Sequence, residues 1–185
     1  MEEILILEVG LTGGIASGKS TIARILGSLG CSTVDADAIV ADLYRPGEAG
    51  HAALIQRYGP SILRADHTID RARLADLAFS SDASASELNA LIHPLVRREQ
   101  DRLSERETAE NPDRDQILVV EAALLIEAGN LDRYDRIVVV DLPPEMQLQR
   151  AEGRGMSRAE ATRRISHQMP REKRLLHADY VLDNS

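Results

Sequence analysis

The chain has 185 residues, of which 43% are hydrophobic and 28% are charged, as is typical of a globular protein with one sizeable core. Its formal net charge of −8 at pH 7 is opposite in sign to the basic surface that nucleic-acid binding requires. The sequence also has no apolar run of the roughly 18 residues needed to span a membrane. We therefore expect neither a nucleic-acid partner nor a membrane anchor.

The cysteine content and the N-terminal residues bear on localisation. Cys31 is the only cysteine, which excludes an internal disulfide bond and favours a reducing compartment. The N-terminus carries Glu2 and Glu3 without the basic segment of a secretory signal peptide. These features predict a cytoplasmic protein.

The first predicted strand, residues 4–9, leads into a glycine-rich turn and then a helix. Residues 13–20 match G-x-x-x-x-G-K-S, the P-loop motif, in which backbone N–H groups surround phosphate oxygens. Lys19 would reach the β- and γ-phosphates, and the Ser20 hydroxyl would bind Mg²⁺. An ordinary glycine-rich turn is the alternative, and the flanking strand and helix argue against it. The predicted nucleotide-binding residues are Gly13, Gly14, Ile15, Ala16, Ser17, Gly18, Lys19, Ser20 and Thr21.

The second predicted strand, residues 32–34, is followed by Asp35-Ala36-Asp37. Asp35 and Asp37 would share a face if the strand extended through both. This is the carboxyl end of a parallel strand, where ligands bind, so one of the two would accept or orient an acceptor hydroxyl proton. The alternative for Asp37 is a helix N-cap, because helix-compatible residues 38–41 follow it. The sequence leaves both interpretations open.

Residues 37–108 connect the second strand to the third and are too many for a single helix. We predict several helices here, including a long one over residues 83–106 that is interrupted near Pro94. An insertion at this point lies at the ligand-binding end of the sheet, where a second substrate can bind. The predicted breaks between helices are Pro46-Gly47, Gly59-Pro60 and Asp66-His67.

Three further strands are predicted at residues 117–120, 136–140 and 180–182, alternating with helices. This alternation predicts an α/β fold with a five-stranded parallel sheet, whose apolar strands near residues 119 and 139 are covered on both faces.

The segment 144–169 is helical in pattern, with a break at Gly153 and Gly155, and Ser157 with Glu160 forms a capping box for its second helix. Such a glycine-hinged pair, rich in arginine, suggests a lid over phosphates. For any single arginine the alternative is a solvated helix surface. The arginines around the break are Arg150, Arg154, Arg158, Arg163 and Arg164.

Matching motifs run along nearly the whole chain, in order, and through them the chain resembles the dephospho-CoA kinase family. A P-loop alone marks a superfamily, whereas this series marks one family. The stretches are Gly10–Thr21, Asp35–Asp37, Pro46-Gly47, Leu91–Leu95, Leu124–Glu127, Arg150–Arg154, Arg164-Ile165 with Gln168, and Ala178–Asn184. The resemblance implies a P-loop NTPase fold with a nucleotide-binding core of residues 1–36 and 109–185. It also implies a helical acceptor-binding insertion at 37–108 and a lid at about 145–170.

The resemblance also implies a reaction: transfer of the γ-phosphoryl group of ATP to the ribose 3′-hydroxyl of dephospho-CoA, the last step of coenzyme A biosynthesis, with Mg²⁺. ATP and dephospho-CoA would be the partners of a monomer or weak homo-oligomer. His93 would lie in the acceptor-binding insertion, with a structural histidine as the alternative. The other implied roles are Asp37 as catalytic base, Lys19 on the phosphates, Ser20 on the metal, Arg150 and Arg154 on the base and phosphates, and Asn184 near adenine.

The chain departs from the family pattern at three places. Ala123 stands in a segment where many relatives have a proline, which leaves Glu121 either holding Mg²⁺ through water or merely ending a strand. Ala41 stands where relatives often carry a basic residue, so acceptor contacts are expected to differ there. The sequence ends at Ser185, where relatives usually continue into a final helix, and we expect exposed apolar sheet surface as a result.

Two other functions compete with this one. Another P-loop kinase of small molecules or nucleosides would share the same design and differ in its acceptor. A nucleotide-dependent switch would need a guanine-reading N-K-x-D segment after a strand, whereas residues 138–140 lead into Asp-Leu-Pro-Pro.

Overall fold

A computed structural model describes residues 6–78, 81–110, 116–129 and 131–185. The chain forms two units, one comprising residues up to Asp35 together with Glu107–Ser185, and the other comprising Ala36–Arg106. The smaller unit occupies the stretch for which an insertion is predicted, and its role in acceptor binding stays a prediction.

The larger unit is built on a five-stranded parallel sheet in the order β2-β3-β1-β4-β5, which confirms the predicted α/β architecture. Ile4 and Leu5, placed in the first strand by the sequence, lie outside the described residues. β1 extends beyond the predicted end at Val9, because Gly10–Gly13 pair with Ile137–Val140 of β4. The strands are β1 (Ile6–Gly13), β2 (Ser32–Asp35), β3 (Gln116–Glu121), β4 (Arg136–Asp141) and β5 (Tyr180–Asp183).

Helices cover both faces of this sheet, since successive residues of a strand contribute to opposite faces. On one face Val140 packs with Ala23 of the first helix, and on the other Val139 packs in a cluster with Leu125 of the turn after β3 and Leu175 of the last helix. Val119 and Val139 are each 1% exposed, which confirms the expected burial of the central strands. By contrast, the apolar side chains of edge strand β5 are exposed. The helices are α1 (Lys19–Ser28), α6 (Pro144–Gly153), α7 (Arg158–His167) and α8 (Arg171–Leu175), with a 3₁₀ turn at Leu131–Arg133.

The smaller unit is helical and has its own apolar core. Turns separate its helices at each of the three predicted breaks, and His67 in the third turn has a left-handed φ of 63°. Its elements are α2 (Ala36–Leu43), α3 (Ala49–Tyr58), a 3₁₀ turn (Pro60–Ile62), α4 (Arg71–Ala78) and α5 (Asp82–Glu110), the last of which ends in the larger unit. The buried core residues are Leu54, Ile62, Ile69, Leu74, Ala78, Leu88 and Ile92.

The predicted interruption near Pro94 is wrong, because α5 is continuous from Asp82 to Glu110. A proline inside a helix has no N–H to donate to the carbonyl four residues earlier, so the helix loses one hydrogen bond there. Ile92 before it is buried in the core, and Leu95 after it packs against the same core. Burial on both sides of the proline offsets the lost bond and keeps the helix intact.

None of the helices in the described ranges is long and apolar enough to cross a membrane.

Candidate active site

The P-loop lies between β1, which ends at Gly13, and α1, which begins at Lys19. The Ser17 N–H donates to the Gly14 carbonyl at 3.1 Å and closes a turn. Gly18 precedes α1 with a φ of 98°, a conformation that glycine adopts at little cost. The N-cap residue of α1 is this glycine, which has no side chain to cap the helix, and the N-terminus of a helix favours an anion.

The P-loop glycines lie where neighbouring atoms leave no room for a side chain. A Cβ on Gly13 would lie 2.4 Å from the carbonyl oxygen of Val140, on the adjacent strand β4. A Cβ on Gly14 would lie 2.6 Å from the Oε1 atom of Gln147, a buried residue of α6. Close approach therefore accounts for glycine at both positions.

Lys19 and Ser20, the first residues of α1, point to two different parts of the site. The Lys19 ammonium donates to the Gly13 carbonyl at 3.1 Å, so its charge lies beside the loop. The Ser20 hydroxyl donates to the Glu121 carboxylate at 2.7 Å. Glu121 is the last residue of β3, next to β1 in the sheet, and this position brings its side chain to the P-loop.

The pair formed by Ser20 and Glu121 suits Mg²⁺, which takes oxygen ligands and usually relies on one or two protein groups together with phosphates and water. Within the described ranges no group of three or more His, Cys, Asp or Glu residues could hold a metal by itself. The donor set therefore fits a cation that arrives with a nucleotide.

Asn184, immediately after β5, connects three parts of the larger unit. Its side-chain amide donates to the Ser17 carbonyl of the P-loop at 2.7 Å, and its backbone N–H donates to the Asp141 carbonyl at 3.0 Å. Its own carbonyl accepts from the Arg150 guanidinium of α6 at 2.8 Å. Asn184 is therefore a structural contact of the P-loop, and its predicted contact with adenine stays a prediction.

The arginines around the Gly153–Gly155 break differ in what they contact. Arg150 is held by Asn184, whereas the exposed Arg154 side chain has no hydrogen bond or ion pair to any described residue. Arg158 pairs with Glu152 at 3.3 Å, and Arg164 pairs with Glu160 at 2.6 Å. The latter two match the alternative of a solvated helix surface.

The predicted break between the two arginine-bearing helices is confirmed, with α6 ending at Gly153 and α7 beginning at Arg158, and their role as a lid stays a prediction. The Ser157 hydroxyl accepts from the Glu160 N–H at 3.2 Å, as one half of the predicted capping box requires. The Glu160 carboxylate instead accepts from Arg164, because the two lie one helical turn apart.

Asp37 lies in the first turn of α2, in the smaller unit. β2 ends at Asp35 and α2 begins at Ala36, so Asp35 and Asp37 do not share a strand face. The alternative of an N-cap is also wrong, because the helix begins one residue before Asp37. The catalytic role of Asp37 stays a prediction.

His93 lies within α5, and burial lowers its pKa below the usual value of 6.5. It is half-buried in the smaller unit. A lowered pKa keeps the ring neutral near pH 7, which suits a structural or a substrate-binding histidine alike.

Sequence reasoning missed several residues that hold the site. Gln147 donates to the Leu142 carbonyl at 2.8 Å, Gln168 accepts from the Ile15 N–H at 2.8 Å, and Arg171 pairs with Asp141 at 2.6 Å, which raises the arginine's pKa. The amide side chains carry no charge and form no spacing pattern. Only the position of Gln168 in a matching stretch pointed to it.

A loop with the P-loop motif between the first strand and the first helix of this parallel sheet defines the P-loop NTPase fold. The family model for dephospho-CoA kinase (CoaE) matches residues 7–185. The chain belongs to the dephospho-CoA kinase family.

Individual relatives agree with this assignment. The dephospho-CoA kinase of Corynebacterium diphtheriae is 43% identical over 178 residues, covering 96% of this chain and 88% of the relative. That of Geobacter sulfurreducens is 40% identical, with 96% and 89% covered. A crystal structure of a Thermus thermophilus protein has a TM-score of 0.83 at 32% identity, covering 98% of this chain and 90% of that one. The Campylobacter jejuni dephospho-CoA kinase, at 24% identity and a TM-score of 0.63 over 98% and 89% of the two chains, supports the fold.

We predict that Gly13→Ala damages the P-loop far more than Gly14→Ala. The added methyl at residue 13 meets a strand carbonyl that cannot move, whereas at residue 14 it meets the end of a side chain. Gly13→Ala should abolish ATP binding, and Gly14→Ala should weaken it by about tenfold, roughly 1.4 kcal/mol. Titration calorimetry with ATP measures both.

Gln147→Ala provides the matched control, because it removes the obstacle facing Gly14 only. Combined with Gly14→Ala it should restore part of the ATP affinity, and combined with Gly13→Ala it should restore none. Equal rescue in both combinations would contradict this steric account.

Proposed function

We propose that this chain transfers the γ-phosphoryl group of ATP to the ribose 3′-hydroxyl of dephospho-CoA, giving CoA and ADP. The chain is a kinase of the dephospho-CoA kinase family, and the proposal concerns how its residues carry out the reaction. The observation that carries it is the P-loop, with Lys19 beside its carbonyls and Ser20 bonded to Glu121.

Phosphoryl transfer is catalysed mainly by positioning and by positive charge around the transferred group. The N–H groups at the start of α1 and the Lys19 ammonium would hold the β- and γ-phosphates. Arg154 adds an exposed guanidinium without a protein partner in the described ranges, which leaves it available to a phosphate. Arg150 would contribute charge beside Asn184, where its guanidinium is already held.

Ser20 and Glu121 are the residues we propose for Mg²⁺. Their oxygens lie 2.7 Å apart, at the start of α1 and the end of β3. A bound Mg²⁺ would neutralise charge on the phosphates during transfer. Ser20 would bind the ion directly and Glu121 would orient its water ligands, which is the first of the two roles left open by the sequence.

Asp37 is the proposed base for the acceptor hydroxyl. It follows β2 by two residues, and ligands of parallel α/β sheets bind beyond the carboxyl ends of the strands. Its carboxylate would take the proton that the 3′-hydroxyl loses as the new O–P bond forms. The helical unit that contains His93 would bind dephospho-CoA. Near Ala41, its contacts with this acceptor would differ from those that a basic residue makes.

Two further expectations accompany the proposal. We expect the protein to act in the cytoplasm, in keeping with its single cysteine. We also expect a monomer or a weak homo-oligomer, which light scattering at several concentrations would measure.

The proposal is tested by incubating the protein with Mg²⁺ and ATP, with dephospho-CoA or other alcohols as acceptors, and measuring the product by mass spectrometry. We expect ADP release that requires dephospho-CoA, and CoA as the product. Phosphorylation of a nucleoside but not of dephospho-CoA would favour the other kinase function. Tight GTP binding without any acceptor requirement would favour the nucleotide-dependent switch.

Asp37→Asn should lower kcat by about 10²–10⁴-fold with little change in ATP affinity, because it removes only the proton acceptor. Asp35→Asn is the matched control, since it changes a carboxylate two residues away and should leave kcat within a few-fold of the original. Retained kcat in Asp37→Asn, or a larger loss in Asp35→Asn, would remove Asp37 from the role of base.

Lys19→Ala should weaken both ATP binding and turnover, because it removes the positive charge proposed to hold the phosphates.

Glu121→Gln should raise the Mg²⁺ concentration needed for half-maximal rate by about tenfold, because the amide cannot orient the ion's water ligands as a carboxylate does. Ser20→Ala should raise this Mg²⁺ concentration as well. The increase in the double variant should be smaller than the two single increases combined. Glu145→Gln, an exposed change in the first turn of α6, is the control. An unchanged Mg²⁺ dependence in Glu121→Gln would leave Glu121 as a strand terminus only.

A further inference from the structure

Ala16, in the turn of the P-loop, has a left-handed backbone conformation with a φ of 57°. A residue with a Cβ is less stable in this conformation than in the right-handed one, by about 1–2 kcal/mol. Such a conformation persists only where surrounding contacts hold it. The hydrogen bond from the Ser17 N–H to the Gly14 carbonyl closes this turn from within, and two further bonds reach it from outside.

Two side-chain amides bond to the backbone on either side of Ala16. The Gln168 Oε1 atom accepts from the Ile15 N–H at 2.8 Å. The Asn184 Nδ2 atom donates to the Ser17 carbonyl at 2.7 Å. The two bonds hold the Gly14–Ile15 and Ser17–Gly18 peptide groups, each of which lies one residue away from Ala16.

Gln168 is itself held firmly at the end of lid helix α7, whose C-terminal flanking residue it is. The next N–H, of Met169, donates to the Glu127 carboxylate at 2.8 Å. The Met169 carbonyl accepts from the guanidinium of Arg174 at 2.7 Å, and Arg174 is only 5% exposed. The end of the lid is thus bonded to the buried part of the larger unit, and Gln168 extends from it to the P-loop.

We propose that Gln168 is a positioning residue that holds the P-loop turn in its ATP-binding conformation and links that conformation to the end of the lid. It acts through the Ile15 N–H and through the conformation of Ala16, without contacting the nucleotide. This inference rests on the ATP-binding role proposed above for the P-loop.

The test replaces Gln168 with methionine, which has a similar length but no oxygen to accept the Ile15 N–H. We expect the KM for ATP to rise about tenfold and the KM for dephospho-CoA to stay within twofold of its original value. Gln149→Met is the matched control, because Gln149 is an exposed glutamine on the other lid helix, α6. Gln149→Met should change neither the KM for ATP nor the KM for dephospho-CoA.

Ala16→Gly distinguishes positioning of the turn from a general effect on the lid. Glycine adopts the left-handed conformation without a Cβ penalty, so the turn then depends less on the Gln168 bond. In that background Gln168→Met should raise the KM for ATP about threefold or less. A full tenfold rise in both backgrounds, an unchanged KM for ATP, or an equal effect of Gln149→Met would overturn the proposal.

A direct measurement covers the case in which Gln168→Met folds poorly. Gln168→Glu keeps an acceptor oxygen, so hydrogen exchange at the Ile15 amide, followed by NMR without nucleotide, should remain as slow as in the unmodified protein. Fast exchange in this variant would also overturn the proposal. Lys19→Ala tests the ATP-binding role of the P-loop alone. If Lys19→Ala loses ATP binding while the substitutions of Gln168 have no effect, only the positioning role of Gln168 is refuted.

Discussion

The close packing of β1 against β4 at Gly13 is the constraint on which the rest of the site depends. At this residue the carbonyl of Val140 leaves room for a hydrogen atom and not for a methyl group. The chain can therefore leave the sheet as a bare backbone and turn directly into α1. On its other side β1 pairs with β3, and this pairing brings Glu121, at the end of β3, to the first residues of that helix. The two neighbours of β1 therefore place the P-loop and the Ser20–Glu121 pair at the same end of the sheet.

The P-loop is held from outside by the last third of the chain. Gln147 from α6, Gln168 after α7 and Asn184 after β5 each approach a different part of the turn. Uncharged amides are suited to this task, since each offers a donor and an acceptor without adding charge near bound phosphates. A loop made of glycine and small residues has little structure of its own, and these contacts supply the order that its sequence lacks.

The sequence predicted the parts of the molecule that follow from local patterns. Apolar runs identified the five strands, and the P-loop motif identified Lys19 and Ser20, because both depend on residues adjacent in the chain. The continuous helix through Pro94 was missed, since the burial of Ile92 and Leu95 that offsets the proline is a tertiary effect. The amide contacts were missed for a related reason: Gln168 lies 153 residues from its partner Ile15, and no spacing rule connects them.

Arg150 and Arg154, the two arginines for which we propose phosphate contacts, differ in how their side chains are held. Arg150 already donates to Asn184, which in turn holds Ser17, so its position is fixed before any nucleotide binds. A charge held in advance loses little conformational entropy when it meets a phosphate. Arg154 is exposed and has no partner among the described residues, so ordering its long side chain on a phosphate would cost about 1.5–2 kcal/mol. Arg150 is therefore suited to a fixed contact in every state of the site, and Arg154 to a contact that forms only when phosphate is present.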